Sequence, residues 1–390
     1  QANDFWYLLS DSDLDENYMG MHLQDQSPGG LYTLRPPEPK EGMDTGNNYA
    51  IVSGGSKLPW RVLIISNELQ EIFKSDIVKA LATSSKVENE TWIKPGIASW
   101  SWWSDHDSPQ NYDEMVPFID LAADMGWDYF LVDANWDLMK GGDIHQIIDY
   151  ANKKNVGILM WYNSGGPHNV VTERPRDIMN DPEKRKAEFA KLQEWGVKGV
   201  KVDFFQSDKQ HIIQQYIGIM EDAAEHEILV NFHGCTIPRG WSVTYPNLVT
   251  MESVKGAECY SFDSSYPERA PLHNTILPFT RNVVGPMDYT PVTFTDQTYP
   301  HTTTYAHELA LAVVFESGIQ HFADAVEGYR ELPDAPKSFL KEVPSAWDES
   351  ILLSGYPGEH AVVARRAGAE WFIGGINGRN ETKELTVSLS

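Results

Sequence analysis

Gly199-Val-Lys-Val-Asp-Phe-Phe205 reads as a short buried strand, being mostly apolar with no helical period. Side chains alternate along a strand, so Lys201 and Asp203 share a face. An ammonium and a carboxylate at the end of a buried strand cost free energy unless they are paired or used. One reading is a structural ion pair. The other is a catalytic carboxylate, Asp203, kept ionised by its neighbour Lys201.

Outward from this stretch the same strand type recurs. Strands are expected over Gly96–Trp103, Tyr129–Asp133, Gly157–Asn163, Ile228–His233, Leu248–Glu252, Val283–Tyr289 and Gln320–Ala323. Amphipathic helices are expected between most of them, over Tyr112–Met125, Ile144–Lys153, Pro182–Trp195, Lys209–His226 and Thr303–Ser317. Eight strand–helix units of this total size describe an α/β fold, a (β/α)8 TIM barrel over residues 96–344. A doubly wound open sheet is disfavoured because no Gly-x-Gly-x-x-Gly follows the first strand.

The flanks read as β. Phe5–Leu9, Tyr49–Ser53 and Trp60–Ser66, with turns at Pro28-Gly-Gly30 and Ser53-Gly-Gly55, make residues 1–75 the last strands of a larger N-terminal β-domain. Residues 76–95 read as a linker. Residues 345–390 read as the start of a C-terminal β-domain, with a hairpin of Ala361–Arg366 and Glu370–Gly375 and a further strand over Thr382–Ser390. The chain opens at Gln1 without Met or signal peptide and ends on an alternating pattern, so both ends read as cut from something longer or as a mature secreted form.

The 390 residues carry a formal net charge of −25, which argues against nucleic-acid binding and suits a periplasmic or secreted enzyme. No apolar run is long enough to span a bilayer. Two cysteines, Cys235 and Cys259, make no disulfide framework and read as free structural thiols. Some of the 13 Trp and 17 Tyr could stack on sugar rings, although most belong to the core or surface.

In such a barrel the active site lies at the C-terminal strand ends. This sequence puts Trp102, Trp103, His106, Asp133, Trp136, Trp161, Asn163, Lys201, Asp203, Asn231, His233, Glu252, Glu258 and Asp288 there. Trp, carboxylate and amide together suit a sugar: rings stack on its apolar face and polar groups bond its hydroxyls. Glycoside hydrolysis needs two carboxyl groups flanking the bond. Asp203 is the candidate for attack. For the acid, Glu252 and Glu258 stay level: the first ends a strand and is rigidly placed, the second sits in a loop and reaches farther. The two glutamates also suit a hard cation with oxygen ligands, against the plainer alternative of one structural and one solvated carboxylate. Asp11, Asp13, Asp15 and Glu16 are either a solvated loop or a source of a metal ligand for the neighbouring domain.

At these residues the chain resembles glycoside hydrolase family 97, a family of calcium-dependent α-glucosidases and α-galactosidases. The resemblance is carried jointly by Lys94-Pro-Gly-Ile-Ala-Ser-Trp-Ser-Trp-Trp103, Leu131-Val-Asp-Ala-Asn-Trp136, Gly199–Phe205, Val230-Asn-Phe-His-Gly234 and Met251-Glu-Ser-Val-Lys-Gly-Ala-Glu258. It implies an N-terminal β-super-sandwich, a central barrel and a C-terminal β-domain. The inverting branch has a Glu after the Asn-x-His of strand five and lacks the Asp of strand four. Gly234 and Asp203 therefore match the retaining, α-galactosidase branch. The resemblance also separates the glutamates: Glu258 matches the general acid/base, and Glu252 a Ca2+ ligand with Glu258 close to the ion. Ser10-Asp-Ser-Asp-Leu14 resembles the motif of a further ligand, where Asp11 stands for the usual Glu.

The expectation is thus a retaining α-galactosidase with Asp203 as nucleophile and an oligosaccharide or galactoside as substrate. His106, Asp133, Trp161, Lys201 and His233 would contact the sugar. The alternatives are an α-glucosidase, a β-L-arabinosyl or similar pyranosidase, and a non-catalytic carbohydrate-binding protein. The last has no need of paired carboxylates.

Overall fold

The computed structural model describes residues 5–26 and 28–388. Its first strands are β1 (Trp6–Ser12), β2 (His22–Leu23), β3 (Leu34–Arg35) and β4 (Trp60–Ser66). β1 runs antiparallel to β4, with Trp6 opposite Ser66 and Ser12 opposite Trp60, and β2 pairs with β3. Alternation gives the β1–β4 ribbon two faces. Leu8, Val62 and Ile64 pack inward with Ile72, Val78, Val283 and Val284. On the outward face of β4, Leu63 and Ile65 are 54% and 57% exposed. The strand expected over Tyr49–Ser53 is absent: that segment is irregular and largely exposed, with no partner strand to take up its backbone groups.

The centre is a parallel sheet of β5 (Gly96–Trp100), β6 (Tyr129–Val132), β7 (Gly157–Asn163), β8 (Gly199–Asp203), β9 (Leu229–Phe232), β10 (Leu248–Met251) and β11 (Ile319–Phe322). Their order is β10-β9-β8-β7-β6-β5-β11, a nearly closed barrel of seven strands among the described residues. The helices expected between them form, with ends set by local chemistry. Asn111 caps Tyr112–Met125, which stops at left-handed Gly126. Asp143 and Gln146 close a capping box on Ile144–Lys153. Asp181 caps Pro182–Trp195, which stops at Gly196. Lys209–His226 shortens to Gln210–Glu225, and Thr303–Ser317 to Tyr305–Val314.

The strand expected over Val283–Tyr289 is not one. Arg281–Val284 forms a 3-10 turn, and Gly285-Pro286 then breaks the chain before the next segment. That segment lies between the two ends of the ring without pairing as a ladder. Asp288 N–H donates to Met251 O at 2.9 Å, Met287 N–H to Glu316 O at 2.9 Å, and Ala323 N–H to Pro291 O at 3.3 Å. Thr290 and Val292 adopt positive φ there, 54° and 70°, an uncommon conformation for branched side chains. The hydrophobic pattern of 283–289 is therefore that of a buried plug in the seventh position.

Beyond the barrel, β12 (Glu349–Tyr356), β13 (His360–Ala367) and β14 (Glu370–Asn377) form an antiparallel meander. Buried Arg365 anchors it by donating to the carbonyls of Val313 and Val314, at the end of the helix Tyr305–Val314. The strand expected over Thr382–Ser390 is irregular through residue 388, and its last two residues lie outside the described ones.

Candidate active site

Asp203 ends β8 and is 8% exposed. Its Oδ1 accepts the N–H of Phe204 at 2.7 Å, and its Oδ2 accepts the indole N–H of Trp161 at 3.3 Å. Burial raises its pKa, Lys201 opposes this without prevailing, and the charges of Glu258 and Asp133 add to the rise.

Lys201 is not the direct partner of Asp203. Its Nζ lies 3.0 Å from Oδ2 of Asp133 and 4.5 Å over the ring of Trp100. The same oxygen accepts the indole N–H of Trp100 at 2.7 Å, and Oδ1 of Asp133 accepts Ala134 N–H at 2.7 Å. The reason is barrel geometry: β6 and β8 are alternate strands, and alternate strands fill one interior layer. Burial would lower the Lys201 pKa, but the charges of Asp133 and Asp203 raise it overall. The expected role of Lys201 in holding Asp203 ionised is thus corrected: it contributes, but burial and neighbouring carboxylates outweigh it. Trp161, expected to contact the sugar, is 1% exposed and turns its N–H onto Asp203.

The second group gathers at the ends of β9 and β10. His233 follows β9 and is buried. Its Nε2 lies 2.7 Å from Oδ2 of Asp288, and its Nδ1 lies 3.8 Å from Oε1 of Glu252 and 3.9 Å from Oε2 of Glu258. Glu252 follows β10 and accepts Gly234 N–H at 2.7 Å. Burial, then the charge of Glu258 beside it, pushes the Glu252 carboxyl well above the usual range. Glu258 sits on the 3-10 turn Ala257–Ser261, held by its N–H to Thr290 Oγ1 and by Trp103, whose indole N–H donates to Ala257 O at 2.9 Å.

His233, Glu252 and Glu258 offer ligand atoms all within 4.8 Å of one another. Two compressed carboxylates in a buried corner are unfavourable without positive charge, so the donor set fits a cation. The carboxylate oxygens suit a hard ion such as calcium, and the imidazole nitrogen is a softer donor. Asp11 does not join this group. Its Oδ1 accepts Arg239 Nε–H at 2.8 Å and its Oδ2 an N–H of Arg61 at 3.1 Å. The expected ligand is spent on two guanidinium groups and ties β1 to the loop after β9.

His106 stands at the rim. Its ring stacks on Trp102, centroids 4.0 Å apart, and its Nε2 lies 3.1 Å from Ser261 Oγ, which in turn donates to Glu258 O. Four residues went unassigned in the sequence. Asp288 was placed at a strand end without a role, while His321, Arg239 and Lys209 carry no local signal, since their partners lie far away in the chain. Cys235 and Cys259 are free, as expected, and burial raises both thiols, Cys259 to about 12.

Comparison with known proteins identifies similar families and structures. The family model "Glycoside hydrolase 97" matches residues 92–254, "Glycosyl-hydrolase 97 N-terminal" residues 1–83, and "Glycosyl-hydrolase 97 C-terminal, oligomerisation" residues 346–390. A "Probable retaining alpha-galactosidase" of Streptomyces bingchenggensis is 36% identical over 98% of this chain and 58% of its own length. The "Retaining alpha-galactosidase" of Bacteroides thetaiotaomicron is 32% identical over 94% and 59%. A solved "beta-arabinopyranosidase" superposes with TM-score 0.93 at 35% identity, over 97% of this chain and 62% of that one. The chain therefore spans about three-fifths of the length of the relatives it matches.

Proposed function

This chain belongs to glycoside hydrolase family 97, and on that premise we propose that it is a retaining, calcium-dependent α-galactosidase. The observation that carries this is the fit between Asp203 and Gly234. A Cβ at position 234 would stand 2.9 Å from Oδ1 of Asp203 and 2.9 Å from Phe204 N. No water-activating carboxylate fits at 234 while Asp203 holds its place, which leaves Asp203 itself to attack.

In the first step the Asp203 carboxylate bonds to the anomeric carbon as the bond to the leaving oxygen breaks, and Glu258 gives that oxygen its proton. In the second, water bonds to the same carbon, Glu258 takes the water's proton, and the bond to Asp203 breaks. Two inversions return the α-configured sugar. His233, Glu252 and Glu258 would hold the calcium. When bound there, it supplies positive charge that keeps Glu252 ionised and adjusts the acidity of Glu258. The Lys201–Asp133 pair and His106 offer charged and polar groups for the sugar hydroxyls. Periplasmic or secreted work belongs to the same reading, supported only by the acidic composition, and cell fractionation of the source would test it.

A second reading is favoured by the arabinopyranosidase structure. β-L-Arabinopyranose is the ring of α-D-galactopyranose without its hydroxymethyl group, so the same carboxylates would serve. The test is NMR of the anomeric proton during hydrolysis of p-nitrophenyl α-galactoside, with calcium and with chelator, beside p-nitrophenyl β-L-arabinopyranoside. α-Galactose appearing first, with turnover lost to chelator, is expected. β-Galactose first would remove Asp203 as nucleophile, and a kcat/KM at least ~10-fold higher for the arabinoside would favour the second reading. Asp203→Asn should lower turnover by roughly 10³-fold or more while sugar affinity persists. A carbohydrate-binding protein would have no turnover to lose.

A further inference from the structure

We propose that Asp288 is a positioning residue for the cation site: its carboxylate takes the Nε2–H of His233 and so turns the Nδ1 lone pair of that ring toward Glu252 and Glu258. The proposal rests on reading these three residues as a cation site.

A carboxylate only accepts, so at 2.7 Å from Asp288 Oδ2 the His233 proton belongs on Nε2. In the neutral ring that can ligate a cation, Nδ1 on the other side is then the bare lone-pair donor, 3.8 Å and 3.9 Å from the two glutamate oxygens. Asp288 is held in turn. The same Oδ2 accepts Nδ2–H of Asn231 at 2.7 Å and Nδ1–H of His321 at 2.8 Å. Asn231 and His233 come from β9 and its end, His321 from β11, and the Asp288 N–H is bonded to the end of β10. Asp288 thus joins three strands across the place where the ring lacks one. All three donors meet one oxygen, Oδ2, which only accepts, and its negative charge strengthens each of the three bonds. Histidines that bind metals commonly donate their other N–H to a carboxylate, and loss of that partner typically weakens metal binding about 10–100-fold.

The test is calcium titration of the parent protein and Asp288→Ala, which removes the acceptor, read by calorimetry and by the calcium-induced shift in melting temperature. A calcium midpoint raised about 10–100-fold in a cooperatively folding variant is expected. An unchanged midpoint in a folded variant would overturn the proposal, since a purely structural hub would lower stability without moving calcium affinity. Absence of any calcium response in the parent would remove the cation reading, and this proposal with it. Long-range ¹H–¹⁵N spectra of the parent read the tautomer directly, His233 being assigned by the peaks lost in His233→Gln. A protonated Nε2 with bare Nδ1 is expected. A proton on Nδ1 would overturn the proposal even if Asp288→Ala fails to fold.

Discussion

Gly234 shows how much one missing side chain can decide. Its φ is 49°, and its bare Cα sits against the Asp203 carboxylate while its N–H holds Glu252. Gly234→Ala adds a methyl where there is no room and a left-handed conformation that costs about 1–2 kcal/mol for a residue with Cβ. The larger effect falls on catalysis, because displacing a nucleophile by about 1 Å can cost roughly 10²-fold in rate. We expect kcat to fall by that order with a modest loss of stability. Steady-state kinetics beside thermal melting would check it, and a kcat near the parent's would mean Asp203 tolerates the methyl.

Among the elements, the loop after β8 and the helix Tyr305–Val314 each carry a buried charge-bearing group. Lys209, fully buried before Gln210–Glu225, donates to the carbonyls of Pro39, Glu41 and Thr45 at 2.7, 2.9 and 2.9 Å. It binds the N-terminal segment to the loop that follows the nucleophile. Lys209→Met removes three charge-assisted bonds and should destabilise by roughly 2–4 kcal/mol. Urea unfolding measures this, and a loss below about 0.5 kcal/mol would show the carbonyls finding water instead. Glu308, on Tyr305–Val314, is pushed up to about 8 by burial, a bond from Thr303 opposing only in part. Its folded-state pKa lies above its unfolded value, so the unfolded chain gives up the proton first as pH rises. This single group makes stability fall between pH 4.5 and pH 8, by up to about 1.4 kcal/mol per unit. Glu308→Gln should flatten that part of the melting-temperature profile, and an unchanged slope would assign the dependence elsewhere.

At the scale of the whole molecule, β4 leaves an apolar face open. Leu63 and Ile65 line the outward side of β4. Such a stripe binds hydrophobic dyes and promotes association. The double variant Leu63→Lys, Ile65→Lys should bind less anilinonaphthalene sulfonate and elute closer to monomer on size exclusion, with little change in melting temperature. Equal dye binding by parent and variant would show that this face is not the accessible one.

Much of the fold and the site was legible in the sequence because the signals are local. Continuous apolar runs mark strands buried on both faces, cap residues mark helix ends, and a carboxylate at a strand end is a chemical anomaly wherever the strand goes. Those rules placed seven of the eight expected barrel strands and brought Asp203, Glu252, Glu258 and His233 to one end of the barrel. The exception, Val283–Tyr289, has a strand's hydrophobicity without a strand's pairing, because burial alone does not say which neighbours take the backbone groups. Partnership was likewise a tertiary matter. Period two puts Lys201 and Asp203 on one face, but only closure of the barrel brings Asp133, 68 residues earlier, into the same layer as Lys201. Asp11 has a ligand's chemistry, and the arrival of Arg239 and Arg61 from distant segments decided its use. The sequence alone determined which groups this protein owns and which end of the barrel they face. The tertiary structure decided which of them touch, because contact between distant strands depends on ring geometry that no local pattern encodes.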